Sequence, residues 1–184
     1  MTRASGTETI LRHWREAVPN DRLAHLVKDA TRALVRALQM RLAAHKVSFG
    51  YWTFLRILWE GDGLTQRELS LEAGVMEPTT FSALKAMERL GYIRRKRGDD
   101  RKKMHVFLTP KGRALRRSLV PLAEQVNAIA ARGVRKADIT ATRVVLLAII
   151  ENLARDEAGQ DKRMPSTRAL ASVGTKRKRL GKRA

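Results

Sequence analysis

The chain has 184 residues, 38 of them Lys or Arg against 18 Asp or Glu, for a formal charge of +20. That length excludes two large domains, and the charge calls for an acidic partner, because self-repulsion on this scale opposes compaction until a polyanion neutralises part of it. With no cysteine in the chain, a disulfide framework, a thiolate metal site and a cysteine nucleophile are all excluded.

Between Asp21 and His45 the apolar residues Leu23, Val27, Ala30, Leu34, Leu38 and Leu42 recur at steps of three or four. This predicts a helix of about seven turns, with Asn20 or Asp21 after Pro19 as its N-cap. Gly50 is expected to break the pattern. YWTFLRILWE then predicts a short helix offering Phe54, Leu55, Leu58 and Trp59 for burial, ended by Gly61 and Gly63. Thr65 and Glu68 stand at the spacing of a capping box, in which each satisfies an orphan amide of the other, so a helix is expected to start there. Gly74 suits the left-handed position where such a helix stops. Pro78 fits the first turn of the next helix, where its missing N–H costs nothing, and that helix is expected to end at Gly91.

Two helices joined by a short turn containing glycine make a helix-turn-helix unit. On the second, Phe81, Leu84 and Met87 are expected to face inward, with Thr79, Ser82, Lys85 and Arg89 outward. The outward stripe is small and polar at its N-terminal end, as a helix entering the major groove requires. YIRRKR and MHVFL predict two strands, the second alternating Met104, Val106 and Leu108 against His105 and Phe107, around a basic GDDRKK turn. A hairpin directly after a reading helix is a wing. Arg101 at its tip is the expected minor-groove residue, its guanidinium held by Asp99 or Asp100. Thr109 and Pro110 then start a long helix with Leu115, Leu119, Leu122, Val126 and Ile129 on one face. Asp138 or Thr140 begins a last helix, apolar almost all round between Val144 and Leu153. A small winged domain lacks the mass to cover it, so a partner subunit is expected to do so.

The charge is concentrated. Residues 162–184 hold nine basic residues and no acidic one, and the stretch from Arg89 to Lys103 holds eight basic against two acidic. The tail has too few large apolar residues to offset its ordering entropy and reads as disordered, either a solvated, solubilising end or a sequence-blind arm for phosphates. The four histidines, His13, His25, His45 and His105, are scattered, and neither a Walker A motif nor G-x-G-x-x-G is present, so no catalytic residue, cofactor or metal site is expected. The longest apolar run, Val144 to Ile150, falls far short of the roughly 20 residues that span a bilayer. A soluble, intracellular chain without membrane contact is expected.

The run LTQRELSLEAGVMEPTTFSALKAMERLGYIRRKRGDDRKKMHVFLTPKG, Leu64 to Gly112, resembles the winged helix-turn-helix of the MarR family of bacterial transcriptional regulators. The matching marks are the LTQRELS opening, the MERLGYI helix exit, the Asp-Arg-Lys wing and the LTPKG start of the next helix. With the flanking long helices the resemblance extends over about residues 20–156. It implies a mainly α fold with a small β-wing, and a homodimer whose two reading helices enter successive major grooves of a pseudo-palindromic operator in double-stranded DNA. It also implies a small, often aromatic, anionic effector bound between the first helices and the dimerisation helices. A bacterial, cytoplasmic, nucleoid-associated repressor is the function implied.

The domain layout expected is an N-terminal extension over 1–20 that contributes to dimerisation, helical dimerisation regions at 21–48 and 110–158, a DNA-binding domain at 50–109 and the tail at 159–184. The DNA-binding residues expected are Thr65, Gln66, Pro78, Thr79, Thr80, Ser82, Lys85, Arg89, Arg97, Arg101 and Lys102. The effector candidates are Trp14, His45, Trp52 and Arg56, aromatic side chains with a cation to pair a carboxylate. Two departures stand out. Lys102 replaces a second wing arginine, keeping the charge and losing the fork, and Ser82 stands where an arginine is frequent. A basic architectural or RNA-binding protein would share the charge and the tail. It would not call for this order of helix-turn-helix, wing and apolar helix.

Overall fold

A computed structural model describes residues 6–16, 23–97 and 103–159. The elements run α1 (Gly6–Glu16), α2 (Leu23–Ala43), α3 (Phe49–Glu60), β1 (Leu64–Thr65), α4 (Gln66–Ala73), α5 (Glu77–Arg89), β2 (Ile93–Arg97), β3 (Met104–Leu108), α6 (Pro110–Ala130) and α7 (Lys136–Gly159). The fold is mainly α with a small antiparallel sheet. The expected caps at Asn20 and Asp21, the wing tip from Asp99 to Lys102 and the tail from 160 onward lie outside the described residues.

Gly50 does not break the first helical pattern. It lies inside α3, and the interruption falls earlier, where Lys46 turns left-handed at φ 58°. Ser48 then caps α3 by accepting the Tyr51 amide at 3.2 Å, and the Gln39 side chain takes the Phe49 amide at 2.6 Å. With these donors satisfied, a glycine in the first turn costs little.

At α4 both halves of the capping box form around Thr65 and Glu68, and Gly74 closes the helix at φ 63°. Thr109 caps α6 by accepting from Gly112, with Pro110 in its first turn. The sheet has the order β1-β3-β2, with Ile93 opposite Leu108 and Arg97 opposite Met104. β1 is an addition to the expected hairpin: Leu64 and Thr65 pair with Val106 and His105. Two residues are too few to show a strand's alternation.

One core unites these elements. Leu38 and Leu42 of α2, Phe54, Leu55 and Leu58 of α3, Leu69 of α4, Leu84 and Met87 of α5, Val106 and Leu108 of β3 and Leu119 and Val126 of α6 are all buried in it. Trp52 and Ile57 join them. By compactness the chain divides after Arg132, which keeps α6 with the winged unit.

The second unit contains α7, which starts slightly earlier than expected, at Lys136. Arg135 grips Asp138 of its first turn through two 2.8 Å bonds. No residue of α7 is buried, and Val144, Val145, Leu147, Ile150 and Leu153 are each more than half exposed. Among the described residues no helix is long and apolar enough to cross a membrane.

Candidate nucleic-acid interface

The α4–α5 pair is held by its core and by one buried polar contact. Ser70 donates its hydroxyl hydrogen bond to Thr80 at 2.9 Å, and Thr80 is 0% exposed. Thr80 therefore faces the helix-turn-helix interior, away from any groove, and does not belong to the reading face expected for it. The inward stripe of α5 is Thr80, Leu84 and Met87, whereas Phe81, expected inside, is 47% exposed. The reason is rotational. At about 100° per residue, steps of four and three return close to one line, whereas two successive steps of three drift by roughly 120°.

Pro78, Thr79, Ser82, Lys85 and Arg89 all lie on the exposed side of α5. Ser82 turns its hydroxyl back to the Pro78 carbonyl at 3.0 Å. Thr65 and Gln66 sit half-buried at the start of α4, and the Thr65 hydroxyl is already engaged with the Glu68 carboxylate at 2.8 Å. On β2, Arg94, Lys96 and Arg97 are exposed, so the basic strand leads from the foot of α5 toward the wing tip. Arg67 on α4 is exposed as well. It was not among the residues expected from the sequence, where only its place in the capped first turn could have marked it.

Arg95 is used differently from its neighbours. Its Nε lies 2.9 Å and its Nη2 2.5 Å from a Glu88 carboxylate oxygen, and its amide donates to the other oxygen at 3.2 Å. An acidic residue near the end of the reading helix thus ties the first wing strand to that helix. The Arg95 bond holds the Glu88 carboxyl below its ordinary range, against the opposing effect of burial. The Thr65 amide does the same for Glu68. A carboxyl whose folded pKa is depressed stabilises the fold above the ordinary glutamate pKa of about 4.3 and loses that contribution as pH falls through the folded value. Glu88→Gln is therefore expected to lower the thermal midpoint at pH 7, with the gap to wild type closing as pH drops below that range. A gap that persists unchanged at low pH would contradict this role for the carboxylate.

The base of the wing is locked to α6. Asp62 accepts from the Leu108 amide at 2.8 Å and pairs with Arg113. Trp59 donates Nε1–H to the Gly112 carbonyl at 3.0 Å.

The four effector candidates are not brought together. Trp14 of α1 donates to Asp29 at 3.1 Å, while His45 lies just beyond the far end of α2, roughly 20 Å along that helix. Trp52 is buried edge-on against Trp59, with centroids 5.6 Å apart, and Arg56 is exposed on α3. A groove of about 400 Å³ does exist between α1, α2 and α6, lined mainly by Ala30, Ala33, Leu34, Ala37, Val126 and Ile129, together with Thr7 and Arg41. None of the four lines it. Side-chain chemistry alone could not show which helices approach each other.

The MarR family model matches residues 50–104, the span from α3 through the wing. Over a longer span, the crystal structure of the transcriptional regulator PA3341 is 30% identical with a TM-score of 0.65, and the alignment covers 72% of this chain and 98% of that one. This chain belongs to the MarR family. The proteins it is similar to over these spans are transcriptional regulators. The HTH-type transcriptional regulator TtmR of Methylorubrum extorquens is 33% identical over 98 residues, 53% of this chain and 50% of TtmR, so the MarR-family chain spans about half the length of that curated relative. A MarR family regulator of Listeria monocytogenes complexed with a 26mer DNA shares the fold at a TM-score of 0.69 and 24% identity, covering 79% of this chain and 99% of that one.

Proposed function

We propose that the protein acts as a homodimer that binds a pseudo-palindromic operator in double-stranded DNA and represses transcription by occupying it, in the cytoplasm of a bacterium. The exposed polar and basic side of α5, continued by the basic strand β2, carries this reading. Pro78, Thr79, Ser82, Lys85 and Arg89 are placed for the major groove. Arg97, with Arg101 and Lys102 from the undescribed tip, serves the minor groove and its phosphates. Thr65 and Gln66 at the start of α4 supply a helix N-terminus for a backbone phosphate. The uncovered apolar surface of α7 supports dimerisation. A small anionic, aromatic effector remains part of the proposal, with the groove between α2 and α6, which Arg41 helps to line, as the better-formed place for it than the four dispersed candidates.

Salt dependence tests the phosphate share. Several basic side chains per subunit on phosphates give a slope of log K against log salt on the order of −6 to −10. Removing residues 162–184 is expected to flatten the slope and weaken binding to random DNA while leaving the preference for the operator intact. Loss of that preference on removal would place specificity in the tail and overturn the assignment to α5 and the wing.

A further inference from the structure

We propose that Phe81 reads the C5-methyl group of a thymine in the major groove, an inference that rests on the proposed sequence-specific binding of DNA by α5. Phe81 is 47% exposed on this helix. Relative to the buried line of Thr80, Leu84 and Met87, a rotation of about 100° per residue places Phe81 roughly as far to one side of the outward centre as Thr79 lies to the other. Its helical neighbours one turn away are Glu77 and Lys85, both exposed. Phe81 is therefore an isolated aromatic on a polar reading face. The other exposed large apolar residues of the helix-turn-helix, Leu71, Val75 and Met76, belong to α4 and the turn.

The chemistry of the groove gives such a ring one natural partner. Thymine presents a methyl group and a carbonyl acceptor there, cytosine an amino donor and no methyl, so apolar contact separates the two bases. The polar residues around Phe81 are poorly placed to do this alone. Thr80 is buried, and the Ser82 hydroxyl is turned back to the backbone. Lys85 is a single flexible cation, better suited to a guanine or a phosphate. The part of the Phe81 side chain left uncovered by the fold is the apolar surface available to a methyl group.

The test begins with selection of binding sites by the full chain from a random duplex library. Each thymine of the enriched site is then replaced singly by deoxyuridine, which removes only the methyl. At one thymine position of each half-site wild type is expected to bind about fourfold more weakly, the worth of one buried apolar carbon. Phe81→Ala, its thermal midpoint checked, is expected to bind several-fold more weakly than wild type to the thymine site and to be indifferent to that same replacement. Phe81→Gln, a polar residue suited to an exposed helix position, repeats the comparison. An enriched site at which no deoxyuridine affects wild type, or at which the variants keep the full sensitivity, overturns the role of Phe81 and leaves sequence-specific binding standing. Failure of wild type to enrich any site overturns sequence-specific binding itself and the inference with it.

Discussion

Gly112→Ala is expected to cost about 3 kcal/mol of folding stability, the upper end of overpacking in a closed core. A β-carbon at this position would lie 2.0 Å from the Tyr92 carbonyl oxygen and 3.1 Å from Leu108 Cδ2. The first turn of α6 cannot simply retreat. The Tyr92 carbonyl accepts the Thr109 amide at 3.0 Å and the Thr109 hydroxyl at 3.1 Å, Thr109 caps Gly112, and the Gly112 carbonyl accepts from Trp59. Relief of the clash must break several of these bonds at once. Domains hold only some 5–15 kcal/mol in total, so the urea midpoint should fall far below that of wild type. A shift under about 0.5 kcal/mol would show that α6 approaches the wing less closely than these contacts require.

Introducing charge on the apolar face of α7 should have the largest effect on DNA binding. Leu147 and Ile150 are 56% and 64% exposed and, three positions apart, lie on one face of the helix. Leu147→Glu with Ile150→Glu is expected to leave each subunit folded, because neither side chain is buried, while placing charge in the interface proposed between copies. Sedimentation should then report a monomer. Operator affinity should fall at least a hundredfold, since two linked reading heads gain about 10²–10⁴ from effective concentration. A variant that remains a dimer with unaltered affinity would move the interface away from α7.

What could be read from the sequence was local chemistry. The capping box at Thr65, the left-handed Gly74, Pro78 in the first turn of α5 and Thr109–Pro110 at α6 each satisfy backbone groups within a few residues, so their signals are complete in a short stretch. The alternation of Val106 and Leu108 likewise identified β3. Features that depend on distant partners were less accessible. β1 exists because Leu64 and Thr65 meet β3, and two residues carry no period. Thr80 and Phe81 exchanged roles because neighbouring positions near a stripe's edge differ by a single rotation of about 100°. The tie between Glu88 and Arg95 joins a helix end to a strand, and nothing in either residue's local spacing announces it. The effector candidates were selected by side-chain type, and the packing of α1, α2 and α6 places the groove elsewhere.

Competition between duplexes decides whether this chain reads sequence or only charge. A labelled duplex carrying the site enriched by the full chain is titrated in near-physiological salt, with increasing unlabelled random DNA of the same length. The expected result is an inverted repeat, with half-sites about one helical turn apart, bound at least a hundredfold more tightly than random DNA. An advantage of tenfold or less, or an enriched sequence without two-fold symmetry, would contradict the account of a dimer reading an operator through α5.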